Sequence, residues 1–515
     1  MGIARTIHYC LRLRHADKLT AERIESIQLG NLRRAVRYAK ANSPFFGEFY
    51  GQVDPDADDF SVRSLPPVTK DVLMENFDRV VTDERITLAA VKDWVRDRDK
   101  LGKLFCGRFV VTHTSGTTGM PAFFVYDKRE WDMIQAMGVT RGMRFKPSFV
   151  DFFRHAGRVL FKHPRIALVS VLGGHFVTYL LFLVTPGMAR ALSEFRYLSV
   201  TKPVGDMVAG LNEFKPNILH CYPTMLEVLA YEQIEGRLDI HPWVISSSSE
   251  PLGRSARKMI EKAFPDSQVH ETYGTTEGVT LASECRLHDG MHVNSDKYII
   301  ESVKDDGSQA APGTAGDKVY MSCLFARTMP LLRYELTDVV IPVAEACDCG
   351  LPFPRIRVRG RTDDIFWVYD RDQNPVALPP IPFEALLLDV DGLRQYQLIQ
   401  EQRNQLRVKF KPASGFDADV LATDIEKRFN DFLTEKDLQD AVKVEIEQVT
   451  EIERDPRSGK IRQIFSKVDR LYLPGIPLGE RRSGDDRRSG PQQAEQGERR
   501  QGPRRTENTE EEEGE

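Results

Sequence analysis

The sequence predicts a large layered α/β N-terminal domain, a small α+β C-terminal domain and a disordered tail. Three observations carry this. At 515 residues the chain exceeds what one hydrophobic core usually supports. Between about 104 and 345, β-rich apolar runs alternate with helical patterns, as expected of strands layered against helices. After Pro474 apolar residues almost vanish. The domains read as 1–359, 360–474 and 475–515.

Residues 1 to about 80 read as helical and charged, ending in SLPPVTKDVLMENF, where prolines break the chain before a short helix. The strands that follow read as RFVVT, RIALVSVL, NILHC, WVISSSS and QVHETYG, with helices such as PTMLEVLAYEQIEG and SARKMIEKAF between them. Several of these strands end in glycine or hydroxyl clusters, and ligands in such folds bind beyond the carboxyl ends of strands. From Gly360 onward a helix is expected at 382–390, strands at 395–400 and 405–411, a helix at 417–434 and a strand at 442–448. The tail repeats an Arg-Arg/Gly theme and ends in a run of glutamates. It cannot bury enough surface to offset chain entropy, so it reads as solvated, with contact to a partner as the other reading.

Composition excludes several classes. With 41% hydrophobic and 29% charged residues the chain can build a large core. A net charge of −5, without a basic patch interleaved with aromatics, argues against nucleic acid as partner. Seven scattered cysteines and no secretory signal fit a reducing, cytoplasmic setting. The run Ile166–Val184 has 19 residues without Asp, Glu, Lys or Arg, long enough for a membrane span. Gly173-Gly174-His175 at its centre argues instead for a strand, a glycine turn and a second apolar element, and no integral span is expected.

The most informative stretch is His113-Thr-Ser-Gly-Thr-Thr-Gly-Met-Pro121. Thr114, Ser115, Gly116, Thr117, Thr118 and Gly119 pack four hydroxyls and two glycines into one turn, a composition suited to cradling phosphate with backbone amides. It is not the common P-loop, because no lysine follows Gly119. Four further motifs join it: YGTTEG at 273–278, RYELTD at 333–338, GRTDD at 360–364 and RSGKIR at 457–462. Each is weak alone, and the five in this order are specific.

On these motifs, and on NLRRAVRYAKANSPFFGEFY, LPPVTK, LHCYPTMLEVLA, SSSSEPL and ECRLHDGMHV, the chain resembles the adenylate-forming superfamily of acyl-CoA ligases over roughly residues 20 to 470. Within that group it is most similar to phenylacetate-CoA ligases and their capsule-synthesis relatives. The resemblance implies ATP, Mg²⁺ and a carboxylic acid as ligands, CoA as acceptor, and a mobile C-terminal domain. It implies that the 114–119 loop holds the β- and γ-phosphates, that Glu277 holds Mg²⁺, and that Thr276 reaches the α-phosphate. Tyr273 with Gly274 would face adenine, with Glu250 and Pro251 of SSSSEPL framing the ring's other side. Asp338 would take the ribose hydroxyls, Arg361 would lie near ribose and phosphate, Asp363 would be the hinge, and Lys460 would bridge the acid and the α-phosphate. His175, Phe176, Tyr222 and Ser248 would surround the acid, with an aromatic acid implied only by the resemblance.

Two departures stand out. Met120 replaces a lysine common after the loop glycine, and the Arg-Gly pair usual after GRTDD is missing from IFWVYDRDQNPVALPP. The second weakens CoA transfer relative to adenylation. An adenylyltransferase or acyl transferase acting on a non-CoA acceptor in polysaccharide or coenzyme synthesis is therefore the alternative reading, and a non-catalytic nucleotide-binding protein a third.

A metal site is expected from Cys347-Asp-Cys349 with Cys285 and a histidine, since three thiolates and an imidazole complete a tetrahedral Zn²⁺ shell. His292 is favoured over His288 as fourth ligand, and free buried thiols are the other reading. Four protein ligands leave no open position, so the role would be structural. No G-x-S-x-G and no G-x-G-x-x-G occurs, and HETYG lacks the second histidine of a metalloprotease helix.

Overall fold

The computed structural model describes residues 2–114, 121–142, 163–185, 190–191, 193–200, 202, 204–361, 366–373, 375–378, 383, 386–387, 390–453 and 463–468. The chain divides into a compact unit Met1–Leu471 and a second unit Tyr472–Glu515, and all described residues belong to the first. The expected tail, the hydroxyl-loop residues 115–119, Asp363 and Lys460 lie outside the described residues.

The N-terminal region is helical, as its composition suggests. Helix Ile3–Ala16 leads into helix Ala21–Asn42, which starts where the Thr20 side chain accepts the Arg23 N–H. Thr20 thereby satisfies one of the amides that a helix start leaves without a partner. This region is anchored deep in the protein: Tyr50 is fully buried and its hydroxyl donates to the Leu332 carbonyl at 2.9 Å. A hairpin follows, β1 (Phe109–His113) against β2 (Phe123–Asp127), almost wholly buried in the largest core.

Among the described residues the central sheet has nine strands. Five run parallel: β3 (Arg165–Ser170), β4 (Glu194–Ser199), β5 (Ile218–Cys221), β6 (Val244–Ser248) and β7 (Gln268–Tyr273), in the order β4-β3-β5-β6-β7. Helices Val204–Phe214, Pro223–Ile234 and Arg254–Ala263 cross between them, since parallel strands need crossover connections. The apolar run Ile166–Val184 is β3, the glycine turn and the short helix Val177–Leu183. No helix among the described residues is long and apolar enough to cross a membrane.

Beyond β7 the sheet continues antiparallel through β8 (Ala282–Glu284), β9 (Met291–Val293), β14 and β13. Here β13 is Asp338–Val343 and β14 is Arg355–Arg361. A separate antiparallel sheet joins β10 (Tyr298–Val303), β11 (Lys318–Cys323) and β12 (Tyr334–Leu336). Within the RYELTD motif, Asp338 begins β13 after a break at Thr337.

The C-terminal part has its own core, drawn entirely from residues between Phe366 and Ile464. β15 (Phe366–Tyr369) pairs with β16 (Pro375–Leu378). β17 (Leu393–Gln402) and β18 (Gln405–Pro412) form a long antiparallel pair, flanked in parallel by β20 (Ile464–Ser466) and β19 (Lys443–Gln448). The alternating burial of β18 and the Asp417-capped helix Ala418–Glu435 account for the α+β pattern read from sequence. This part meets the parallel-sheet layer through Arg394, whose guanidinium lies 4.1 Å from the Tyr231 ring centre and 2.9 Å from Glu232.

Candidate functional site

The carboxyl ends of β3, β5, β6 and β7 are adjacent in the sheet, so the polar residues that end them fall on one edge. Tyr222 follows β5, and its hydroxyl lies 2.7 Å from Ser170 Oγ at the end of β3. Burial pushes its pKa up to about 12, so it acts only as a neutral phenol. His220, inside β5, spans Ser246 and Ser248 of β6, with Nδ1 3.1 Å from one hydroxyl and Nε2 3.2 Å from the other. Burial lowers its pKa to about 4, so the imidazole is neutral near pH 7. From Ser248 the polar chain continues to Ser249 at 3.5 Å and on to Thr178 at 3.3 Å. Ser249 is held at φ 74°, unusual for a residue with a side chain.

His175 follows the glycine turn and is buried, with Nε2 lacking a hydrogen-bond partner among the described residues. Burial, aided by the neighbouring His113, lowers its pKa to about 4. Its carbonyl accepts the His113 N–H at 3.1 Å, and the ring of Phe176 lies 4.8 Å from that of His113. The next residue, Thr114, closes the mouth of the hydroxyl loop. Its N–H donates to the Ala122 carbonyl at 2.9 Å, and its Oγ1 accepts the Ala122 N–H at 2.9 Å. His175, Phe176 and Thr114 are thus brought to one place by His113.

The YGTTEG turn leaves the end of β7. Thr275 shapes it, accepting the Gly278 N–H on its hydroxyl at 3.2 Å and the Val279 N–H on its carbonyl at 2.8 Å. At Gly274 a Cβ would stand 2.0 Å from the Val279 oxygen, so only glycine fits. Two buried tyrosines pin the turn from below. Tyr126 donates toward the carbonyls of Thr276 at 2.7 Å and Glu277 at 3.0 Å, and Tyr298 donates to that of Gly278. Burial raises both phenols well above their usual pKa. The Glu277 charge adds to the upward shift that burial gives Tyr126 and Tyr334. Because Tyr126 belongs to β2, the strand leaving the hydroxyl loop is tied directly to Thr276 and Glu277.

Glu250 and Pro251 follow β6, and the Glu250 charge is felt at Tyr222. Tyr273 is buried at the end of β7. Asp338 stands opposite Arg361 in the β13–β14 register, beside a bulge between Asp338 and Val340.

The sulfur cluster draws on the end of β8, on β9 and on the segment between β13 and β14. Cys285, His292, Cys347 and Cys349 have ligand atoms within 4.8 Å of one another. The β9–β14 pairing, His292 opposite Arg355, brings the two segments together. Cys285 and Cys347 sulfurs are 3.7 Å apart, and Cys349 Sγ is 3.3 Å from His292 Nε2. A tetrahedral Zn²⁺ with Zn–S near 2.3 Å requires sulfurs about 3.8 Å apart, so the spacing fits a metal and not a disulfide. His292 Nδ1 lies 2.9 Å from the Phe353 carbonyl, which leaves Nε2 to face a metal. His288 instead meets Glu284 at 3.1 Å.

Sequence reasoning missed His113, His220, Tyr126 and Tyr298. His113 opens the hydroxyl stretch but was given no role; the other three act through contacts far apart in sequence and leave no local pattern.

No protein-family model matches the chain. It is similar to Protein CapK of Staphylococcus aureus, 22% identical over 323 residues, covering 59% of this chain and 60% of CapK. The match therefore spans less than two thirds of CapK. It is also similar to phenylacetate-coenzyme A ligase of Aromatoleum evansii, 21% identical over 401 residues, covering 75% of this chain and 80% of that protein. Among solved structures, 2-hydroxyisobutyryl-CoA ligase in the postadenylation state with 2-HIB-AMP matches with a TM-score of 0.66 and 18% identity, covering 88% of this chain and 92% of that one. The same ligase in the thioesterification state matches with 0.53 at equal identity over the same 88%. The chain therefore shares its fold with 2-hydroxyisobutyryl-CoA ligase.

Proposed function

We propose that this protein activates a carboxylic acid with ATP, forming an acyl-adenylate and pyrophosphate, and then passes the acyl group to CoA. The observation that carries this reading is the tie from Tyr126 to Thr276 and Glu277, which joins β2, the strand that leaves the hydroxyl loop, to the YGTTEG turn after β7. The fold shared with 2-hydroxyisobutyryl-CoA ligase supports it.

In this reading Thr114 and loop residues 115–119 cradle the β- and γ-phosphates with amides and hydroxyls, where charge grows as pyrophosphate leaves. Glu277 offers the hard oxygen donor suited to Mg²⁺, which when bound neutralises phosphate charge. Thr276 donates to the α-phosphate, Tyr273 and Gly274 face adenine opposite Glu250 and Pro251, and Asp338 with Arg361 holds the ribose side. Lys460 supplies a cation to the α-phosphate and the attacking carboxylate, carried by a C-terminal domain that turns about Asp363. The acid lies among His175, Phe176, Tyr222 and Ser248. Because His175, and His220 beside Ser248, are neutral near pH 7, this wall suits a polar or aromatic body, while Lys460 receives the carboxylate charge. Cys285, His292, Cys347 and Cys349 hold one Zn²⁺ that clamps the loop before β14.

The missing Arg-Gly pair after GRTDD favours a second reading for the last step only, transfer to an acceptor other than CoA. Incubating the protein with ATP, Mg²⁺ and a panel of carboxylic acids, and identifying products by mass, tests both readings. AMP formed with an acyl-CoA supports the first, and acyl-adenylate that accumulates despite CoA supports the second. No acid-dependent acyl-adenylate, AMP or pyrophosphate with any acid would reject adenylation.

A further inference from the structure

A half-open cleft of about 540 Å³ lies at the foot of the β1–β2 hairpin, within the size range of small-molecule sites. The hydroxyl loop joins the other ends of these strands. Arg108, just before β1, and Asp127, at the end of β2, are five residues from the loop, roughly 16 Å along the strands. The cleft thus lies at the opposite end of the hairpin from the hydroxyl loop.

Three guanidinium groups line it, from three parts of the chain: Arg108, Arg129 in the first turn of helix Lys128–Met137, and Arg327 between β11 and β12. Two acids also line it: both oxygens of Glu130 and Oδ1 of Asp127 are already engaged, and only Asp127 Oδ2 faces a cation, Arg108 at 3.6 Å. Asp127 caps that helix by accepting the N–H groups of Arg129 at 2.7 Å and Glu130 at 2.9 Å. Glu130 accepts from Asp127 N at 2.5 Å, from Thr328 N at 2.8 Å, from Thr328 Oγ1 at 2.7 Å, and from Arg327 N. The cations are left under-compensated. Arg108 reaches Asp127 and Asp83 only at 3.6 and 4.0 Å. Arg327 donates to the Arg34 carbonyl at 3.4 Å, and the guanidinium of Arg129 has no partner among the described residues.

The walls between these cations are aromatic: Tyr9, Tyr38 and Phe325. Arg327 stacks on Tyr38 at 4.4 Å, which fixes one cation against a ring. Guanidinium groups match the oxygens of phosphate, and aromatic faces favour a flat apolar body. We propose that this cleft binds an aryl phosphate monoester, a planar aromatic group carrying a phosphate dianion.

The test is titration calorimetry of the full chain with 1-naphthyl phosphate, and with 1-naphthol and inorganic phosphate as separate arms. One naphthyl phosphate is expected per chain, bound about tenfold or more tightly than either fragment. Arg129 is exposed, so Arg129→Ala should keep the wild-type melting temperature while weakening binding about tenfold. Arg327→Lys, which retains the charge and the backbone N–H to Glu130 but not the planar fork, should weaken it as well. Asp338→Ala, in the proposed nucleotide site, should leave binding unchanged, whatever becomes of adenylation. The proposal is overturned by no binding, by equal affinity for either fragment, by unaltered affinity in Arg129→Ala, or by loss of binding in Asp338→Ala.

Discussion

The Tyr126 hydroxyl lies 3.0 Å from the carbonyl oxygen of Glu277, and the same oxygen is 2.7 Å from that of Thr276. Tyr126 sits on the strand that leaves the hydroxyl loop, so one phenol joins two segments about 150 residues apart that the proposed chemistry needs side by side. Removing that hydroxyl leaves buried carbonyls without their donor.

Tyr126→Phe is accordingly expected to destabilise the protein by about 1–3 kcal/mol, the usual cost of a buried polar group losing its partner. Adenylation should suffer more than stability suggests, with kcat lowered because Thr276 and Glu277 are no longer held. Chemical denaturation and steady-state kinetics on the same preparation check this. Unchanged kcat at reduced stability would mean that the tie is structural only.

The cysteine cluster is expected to hold one zinc per chain. Cys347→Ser combined with Cys349→Ser, or His292→Ala alone, should lose the metal and melt at lower temperature, since binding to a site absent in the unfolded chain is folding free energy. His288→Ala should keep the metal, because that ring meets Glu284. Elemental analysis of each variant, purified without chelator, decides between the two histidines.

His220 gives a pH signature. Its folded pKa is about 4, below the ordinary value of 6.5, because burial disfavours the imidazolium. The unfolded chain therefore binds the proton more readily. Stability from this residue is complete above about pH 6.5 and is lost as pH falls toward about 4. Glu271 slopes the other way: burial and the neighbouring Glu284 raise it to about 7, so its contribution fades as pH rises from 4.5 toward 7. Comparing His220→Gln with wild type cancels the shared carboxylate effect. The variant should be less stable at pH 7.5 and should close much of that gap at pH 4.5, measured as denaturation midpoints. A gap independent of pH would contradict the buried neutral state.

Much of the frame was legible in the sequence. The apolar runs that became β3, β5, β6 and β7 are short, bounded by turn residues and separated by helical spacing, so period and punctuation agree. The β17–β18 pair and the Asp417-capped helix were legible for the same reason. The antiparallel extension was not: β8 and β9 have three residues each, too few to show a period. Nor were the links made by Tyr126, Tyr298 and His220, because a single side chain reaching a distant carbonyl or hydroxyl imposes no local pattern. The cysteine cluster was readable because metal chemistry restricts which residues can serve, whereas the arginine cleft was invisible because its three cations come from unrelated segments.

Adenylation itself is tested most directly by the acid-dependent exchange of labelled pyrophosphate into ATP, run on wild type and on Lys460→Ala. Tyr273, Asp338 and Thr114, proposed to hold the nucleotide, belong to the N-terminal part, so Lys460→Ala should bind ATP near wild-type strength. Its exchange rate should fall about 10² to 10³-fold, the usual loss when a cation facing transition-state charge is removed. Wild-type exchange with at least one acid, crippled in Lys460→Ala at unchanged ATP affinity, is the predicted result. Exchange at wild-type speed in Lys460→Ala, or none in wild type with any acid, would contradict the mechanism.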